Sequence, residues 1–144
     1  MRSVHDLRGA GWFVGDDVSL PNAAIDHVLV GPAGVLAVQV MWSNQRDERG
    51  RADIRARIGA RQLQHHLAVR ELSVEVVPAV LACGPGQPEV AGGVRVVDGV
   101  AFLFDDLSDE WTEQLRSRAL LPESVVDAIR DEVCTLLEQQ FAVA

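Results

Sequence analysis

The chain of 144 residues contains no lysine and no tyrosine, and aromatic residues make up only 5% of it. The absence of lysine excludes a Walker-type phosphate loop and a Schiff-base mechanism, because both depend on a lysine amine. No serine lies in a Gly-x-Ser-x-Gly elbow, and the glycine-containing stretch 84–93 lacks the spacing of a dinucleotide-binding loop. Several common enzyme classes are therefore excluded.

Cysteines and long apolar runs are also scarce. Cys83 and Cys134 lie far apart among apolar residues, and neither has a second metal ligand at the usual spacing. This pattern favours two reduced, buried thiols in a cytoplasmic protein over a disulfide. The apolar runs are too short to span a bilayer, and the N-terminal residues lack the apolar core of a signal peptide. We therefore expect a cytoplasmic protein without a membrane partner.

The residues that are present indicate one soluble α/β domain. Apolar residues make up 48% of the sequence, which is enough for a core at this length. The patterns predict strands at 12–20, 25–30, 35–42 and 75–82, and two short strands at 94–97 and 100–104 around Asp98-Gly99. They predict a loop over 43–51 and helices over 53–72 and 122–141. They also predict a loop at 84–88 and a short helix capped by Ser108. The fully apolar run at 75–82 predicts a central strand, although Pro78 within it favours an edge position or a bulge. This order implies a mixed β-sheet flanked by helices.

The net charge of −8 is unevenly distributed. Residues 46–70 contain seven arginines and three acidic residues, for a net charge of +4, whereas residues 71–144 contain four arginines and fourteen acidic residues, for −10. The central window could attract a polyanion such as nucleic acid. Alternatively, its arginines simply cover the exposed side of a helix. The candidate nucleic-acid-binding residues are Arg46, Arg49, Arg51, Arg55, Arg57 and Arg61.

Alternation along the third strand places Gln39 and Met41 on one face, close to Asp26 in the preceding strand. A metal nuclease needs two or three oxygen ligands to hold Mg²⁺ beside the scissile phosphate. It also needs a cation that orients the attacking water and neutralises developing charge. An acid-x-lysine pair on one strand supplies both kinds of group. Here the two places hold an amide and a thioether.

Three sequence features together resemble the NERD (nuclease-related) domain, a branch of the PD-(D/E)xK nuclease-like superfamily. They are the run Gly-Trp-Phe-Val at 11–14, the hairpin Ile-Asp-His-Val-Leu-Val-Gly-Pro-Ala-Gly-Val-Leu at 25–36, and Trp-Ser at 42–43. A glutamine-bearing helix, a Val-Pro-Ala-Val strand and Val-Arg-Val-Val follow in a similar order. The resemblance covers about residues 10–115 and is most specific at the hairpin. It implies a restriction-endonuclease-like core with a truncated N-terminal helix, since few residues precede Trp12.

The resemblance assigns a role to each motif position. Asp26 matches the metal-binding aspartate, Gln39 stands where the family has glutamate, and Met41 stands where it has lysine. Gln62 or Gln64 matches the glutamine of the following helix. Two of the three central motif residues have lost their chemistry, so we expect a catalytically degenerate domain that acts by binding or assembly and needs no cofactor. The alternative is a Mg²⁺-dependent nuclease with Asp26 as its sole carboxylate and with Gln39 and Gln62 as auxiliary ligands.

Two further features have open interpretations. His65 and His66 could form a metal site with Asp26, although adjacent helical residues point about 100° apart and only one could face the metal. The interpretation that the pattern favours is that they are surface or interface histidines. The last helix carries an apolar stripe that should pack on the sheet, as should Trp111 and Leu115. Residues of this stripe that are not buried against the sheet would form a surface for a homodimer or another protein partner. Its residues are Val126, Ile129, Val133, Leu136, Leu137 and Phe141.

Overall fold

The computed structural model describes residue 8 and residues 11–42, 46–83, 94–104 and 121–142, with the backbone alone for 46–50 and 141–142. Within these residues the chain forms six strands and two helices. Their bounds are β1 (Phe13–Leu20), β2 (Ala23–Gly31), β3 (Gly34–Met41), α1 (Arg46–Val69), β4 (Val76–Ala82), β5 (Val94–Val97), β6 (Val100–Phe104) and α2 (Glu123–Ala142). The loop at 84–88, the helix at Ser108, and Trp111 and Leu115 lie outside the described residues.

The strands form one mixed sheet in the order β1-β2-β3-β4-β6-β5. The first three strands form an antiparallel meander joined by short turns. Strands β3, β4 and β6 are parallel, and β5 returns antiparallel to β6. α1 is the crossover that the parallel pair β3 and β4 requires. The expected α/β fold with a mixed sheet is confirmed.

Both helices lie on the same face of the sheet. α1 covers β3 and β4, and α2 covers β1 and β2. Ile129, Val133 and Leu136 of α2 are buried in the same cluster as Leu63 and Leu67 of α1. The apolar stripe of α2 therefore packs on the sheet as predicted.

A second apolar cluster occupies the opposite face of the sheet. It includes Trp12, Leu29, Leu36 and Leu103, all of them buried. A Cβ atom added at Gly31 would lie only 2.6 Å from Cε3 of Trp12, so the indole packs directly on the backbone of β2. The middle of the sheet is thus buried on both faces, which explains why β3 carries apolar residues on both of its faces.

The predicted loop over 43–51 is wrong from Arg46 onward, because α1 already begins there. Residues 46–51 have no apolar periodicity, which is why the sequence pattern favoured a loop. Arginine and glutamate are nevertheless good helix formers, and the segment continues a helix whose later turns pack on the sheet. The same helix ends at Val69, three residues before the predicted end.

The expectation for Pro78 is also wrong, since β4 is a central strand between β3 and β6. Pro78 pairs with Ala37 of β3, whereas pairing with β6 begins only at Ala79. At Pro78, β4 therefore pairs with β3 on one side and with no described strand on the other. A missing N–H group is tolerated at such a position for the same reason as on an edge strand.

Three other predictions can be compared with the structure. The turn between β5 and β6 has positive φ at both Asp98 and Gly99, at 50° and 82°, as a type I′ hairpin turn requires. Cys83 and Cys134 are both free, and Cys83 is buried as expected, whereas the expected burial of Cys134 is wrong because its side chain is only half-buried. Neither of the two described helices combines the length and the apolar character that crossing a membrane demands.

Candidate functional site

The candidate site lies where β2 and β3 diverge. Their recorded backbone pairing runs from Gly31 and Gly34 to His27 and Val38. One residue further along β2, a carboxylate oxygen of Asp26 accepts a hydrogen bond of 2.8 Å from the backbone N–H of Val40. This side chain thus supplies the acceptor that a strand carbonyl supplies elsewhere in the ladder.

Gln39 makes the reciprocal contact from β3 to β2. Its side-chain N–H donates a hydrogen bond of 2.7 Å to the backbone carbonyl of Ala24, and the residue is only 2% exposed. Asp26 and Gln39 therefore each bond to the backbone of the opposite strand. Together these two side-chain–backbone bonds hold β2 and β3 together beyond the end of their regular pairing.

α1 passes directly over this pair of bonds. A Cβ atom at Gly59 would lie 3.0 Å from Cγ1 of Ile25 and 3.7 Å from the side-chain nitrogen of Gln39. Only glycine lets the helix backbone approach this closely without displacing Ile25. The helix therefore buries the amide of Gln39.

Met41 lies on the same face of β3, beneath the first half of α1. It is 1% exposed and packs in an apolar cluster. The buried members of this cluster are Met41, Ala52, Ala56, Val80, Ala82 and Val100, with Phe102 and Phe104 packed against them. The predicted alternation is thus confirmed, and the position corresponding to the family's lysine is part of the core.

The two glutamine candidates of α1 differ in their surroundings. The side-chain oxygen of Gln64 accepts a hydrogen bond of 2.9 Å from the backbone N–H of Val76, the first residue of β4. This N–H group therefore has an acceptor at the point where the strand begins. Gln62 is half-buried on α1. Gln64 therefore has a structural role in positioning the strand after the crossover.

The histidines of α1 do not join Asp26. His65 is exposed, whereas Nε2 of His66 lies 3.3 Å from a carboxylate oxygen of Glu132 in α2. Arg70 pairs with the same carboxylate, so these three side chains link the two helices. Among the described residues, no group of three histidine, cysteine or acidic side chains is placed to hold a metal ion.

His27 has a partner that the sequence analysis missed. Its Nδ1 lies 2.8 Å from a carboxylate oxygen of Asp16, its direct neighbour across β1 and β2, and Arg8 lies 3.9 Å from the other oxygen of Asp16. A signal for this pair existed, because a tight turn at Pro21-Asn22 fixes the register of the hairpin. By strand alternation, His27 belongs to the face opposite α1, alongside Leu29.

The arginines of α1 form two groups. Arg57 donates to a carboxylate oxygen of Asp53 at 3.2 Å and to the carbonyl of Asp98 at 3.0 Å. Arg51, Arg55 and Arg61 are exposed, and no ion pair involving them occurs within the described part of the chain. The side chains of Arg46 and Arg49 lie outside the described residues.

Exposed apolar residues lie among Arg51, Arg55 and Arg61. Ile54 and Ile58 are both exposed, one turn apart on the side of α1 that faces away from the sheet. We call Arg51, Ile54, Arg55, Ile58, Arg61 and His65 the outer face of α1. It carries three exposed arginines and no acidic residue.

Comparisons with protein-family models, with curated proteins and with solved structures find no match to this chain.

Proposed function

We propose that this chain is a NERD-like domain with a restriction-endonuclease-like core, whose catalytic motif has become structural and which acts by binding nucleic acid without cleaving it. One observation supports the loss of hydrolysis above all others. The places of the motif glutamate and lysine are filled by an amide that bonds to the backbone beneath α1 and by a methionine inside an apolar cluster.

The residues at the motif positions do not fit Mg²⁺. This ion prefers near-octahedral oxygen coordination and is usually held by one or two carboxylates together with substrate phosphates. Asp26 is the one carboxylate among the three motif positions, and one of its oxygens already accepts the N–H of Val40. Gln39 is neutral and buried, and Met41 offers no oxygen. The alternative, a nuclease with a reduced metal site, would require both strands to rearrange.

The outer face of α1 supports the binding role. With a rise of about 1.5 Å per residue, Arg51 and Arg55 lie about 6 Å apart along the axis, and Arg55 and Arg61 about 9 Å apart. Guanidinium groups in such a row can contact successive phosphates of one strand. The acidic remainder of the chain would repel a polyanion and so favour this face over others.

The test measures binding and cleavage on the same protein. Fluorescence anisotropy with labelled single-stranded and duplex DNA and RNA should show binding at about 50 mM salt that weakens steeply as salt rises. The triple variant Arg51→Gln/Arg55→Gln/Arg61→Gln should bind at least about tenfold more weakly, because three phosphate contacts are lost. Arg130→Gln, which removes an exposed arginine of α2, is the matched control and should bind normally.

Two results would contradict the proposal. The absence of binding to any of these nucleic acids at low salt would reject the binding role. Cleavage in the presence of Mg²⁺ or Mn²⁺, abolished by Asp26→Ala while the protein stays folded, would reject the loss of hydrolysis and establish the alternative.

A further inference from the structure

Exposed apolar residues form a line along the side of α1 that faces away from the sheet. Ile54 is 57% exposed, Ile58 44% and Val69 65%. At about 100° per residue, Ile54 and Ile58 point about 40° apart, and Val69 points about 20° further on. The three side chains therefore project in nearly the same direction, over about 22 Å of the helix axis. We call Ile54, Ile58 and Val69 the apolar ridge of α1.

Arginines surround the first half of the apolar ridge. Arg55 projects about 60° to one side of Ile58, and Arg61 projects about 60° to the other side. Arg51 precedes Ile54 by about one turn. All three arginines are exposed, and the outer face of α1 contains no acidic residue. A polyanion that lies along this face would therefore meet guanidinium groups on both sides of two apolar side chains.

This pattern does not fit a partner helix. Helices pack through an apolar stripe about 100° wide or through a continuous heptad seam. The apolar ridge spans only about 60°. A heptad that starts with Ile54 and Ile58 continues at Arg61 and His65, so a partner helix would bury these two polar residues. Flat apolar groups in single file, each with a negative charge beside it, fit the pattern better.

Neighbouring elements make α1 unsuitable for the major groove of a duplex. Arg57 and His66 are about two and a half turns apart, so they project from opposite sides of α1. Arg57 donates to the carbonyl of Asp98 in the β5–β6 turn at 3.0 Å. Nε2 of His66 lies 3.3 Å from a carboxylate oxygen of Glu132 in α2. The major groove is about 12 Å wide, hardly more than one helix, so elements on both sides of α1 would meet the DNA backbones first.

We propose that the outer face of α1 binds single-stranded nucleic acid in preference to duplex, with bases packed on the apolar ridge and phosphates on the flanking arginines. The bases of a single strand expose flat faces that a duplex hides in its stack. Covering the exposed isoleucines with these faces removes apolar surface from water. Electrostatics alone would favour the duplex, because its phosphates are more closely spaced along the axis. The preference rests on the nucleic-acid binding proposed above and specifies its ligand class.

The test compares probes of equal length: a thymidine strand, an abasic strand and a DNA duplex. Fluorescence anisotropy at about 50 mM salt should show that the thymidine strand binds at least about fivefold more tightly than either of the others. Ile54→Gln/Ile58→Gln should lose at least about fivefold in affinity for the thymidine strand, because the bases lose their apolar contact. Its affinity for the abasic strand and the salt dependence of binding should stay unchanged, since the phosphate contacts remain and glutamine preserves helix propensity.

Val96→Thr/Val97→Thr is the matched control. These two valines of β5 are 63% and 44% exposed, close to the values of Ile54 and Ile58. Threonine retains β propensity, so the strand should be preserved. This variant should bind all three probes as the unchanged chain does.

The outcomes distinguish this preference from nucleic-acid binding itself. The preference would be overturned if the duplex or the abasic strand bound as tightly as the thymidine strand, or if Ile54→Gln/Ile58→Gln kept its affinity for the thymidine strand. Nucleic-acid binding would stand in each of these cases. The absence of binding to any probe would reject both. Binding of an amphipathic peptide of glutamate and leucine instead, weakened in the isoleucine variant, would assign the surface to an acidic protein partner.

Discussion

The hairpin that carries the motif positions and the outer face of α1 use polar residues in opposite ways. In the hairpin, Asp26 and Gln39 bond to backbone groups of the neighbouring strand, and Met41 fills the core beside them. On the outer face, Arg51, Arg55 and Arg61 are exposed to solvent. The first set should therefore matter for folding and little for ligands, and the second set the reverse.

The strongest test of this comparison is to place a lysine at position 41, where the proposed NERD-like motif would have one. Met41→Lys should lower the free energy of unfolding by about 3 kcal/mol or more, because an ammonium group would be buried in a cluster whose described members are all apolar. Urea denaturation followed by circular dichroism measures the loss. Met41→Leu, which conserves volume, should cost less than about 1.5 kcal/mol.

The double variant Gln39→Glu/Met41→Lys extends the same test. If these positions still formed a poised metal site, the variant would stay folded and cleave DNA in the presence of Mg²⁺. That result would show that the hairpin had kept its catalytic geometry, and it would remove the distinction between the two regions.

A smaller effect is expected at Asp26. Asp26→Ala should destabilise the protein by about 1–3 kcal/mol, because the N–H of Val40 loses its acceptor. Asp26→Asn should cost less, since an amide oxygen can accept the same hydrogen bond. The two midpoints in urea give the comparison. If both variants were as stable as the unchanged chain, the carboxylate would have no structural role, and a ligand-binding role would have to be reconsidered.

The sequence predicted the strands and the face of the motif residues because both depend on local periodicity. A period of two placed Gln39 and Met41 on the face that α1 covers, and the Asp-Gly pair at 98–99 predicted the β5–β6 turn. The central position of β4 was predicted from its apolar run, but the expectation for Pro78 was wrong because the rule for proline considers a whole strand. In the structure, what matters is which neighbour is present at Pro78 itself.

The partners of the polar side chains could not be predicted from the sequence. Gln140 and Asp17 are 123 residues apart, and His66 and Glu132 are 66 apart, so no local pattern relates them. The role of Gly59 was hidden for a similar reason. A glycine within a helix normally suggests weak propensity, whereas here it marks the closest approach of α1 to Ile25. Such features depend on how the elements pack, which a single sequence does not encode locally.

The smallest expected effect distinguishes arginines within α1 itself. Arg55→Gln should change the free energy of unfolding by no more than about 0.5 kcal/mol, as is usual for an exposed residue without a specific contact. Arg57→Gln removes bonds to Asp53 and to the carbonyl of Asp98, and should cost up to about 1 kcal/mol, with solvent screening keeping the value low. Nucleic-acid affinity should show the opposite ranking, with the larger loss for Arg55→Gln. If Arg57→Gln weakened binding more than Arg55→Gln did, the binding surface would lie toward the β5–β6 turn instead of on the outer face of α1.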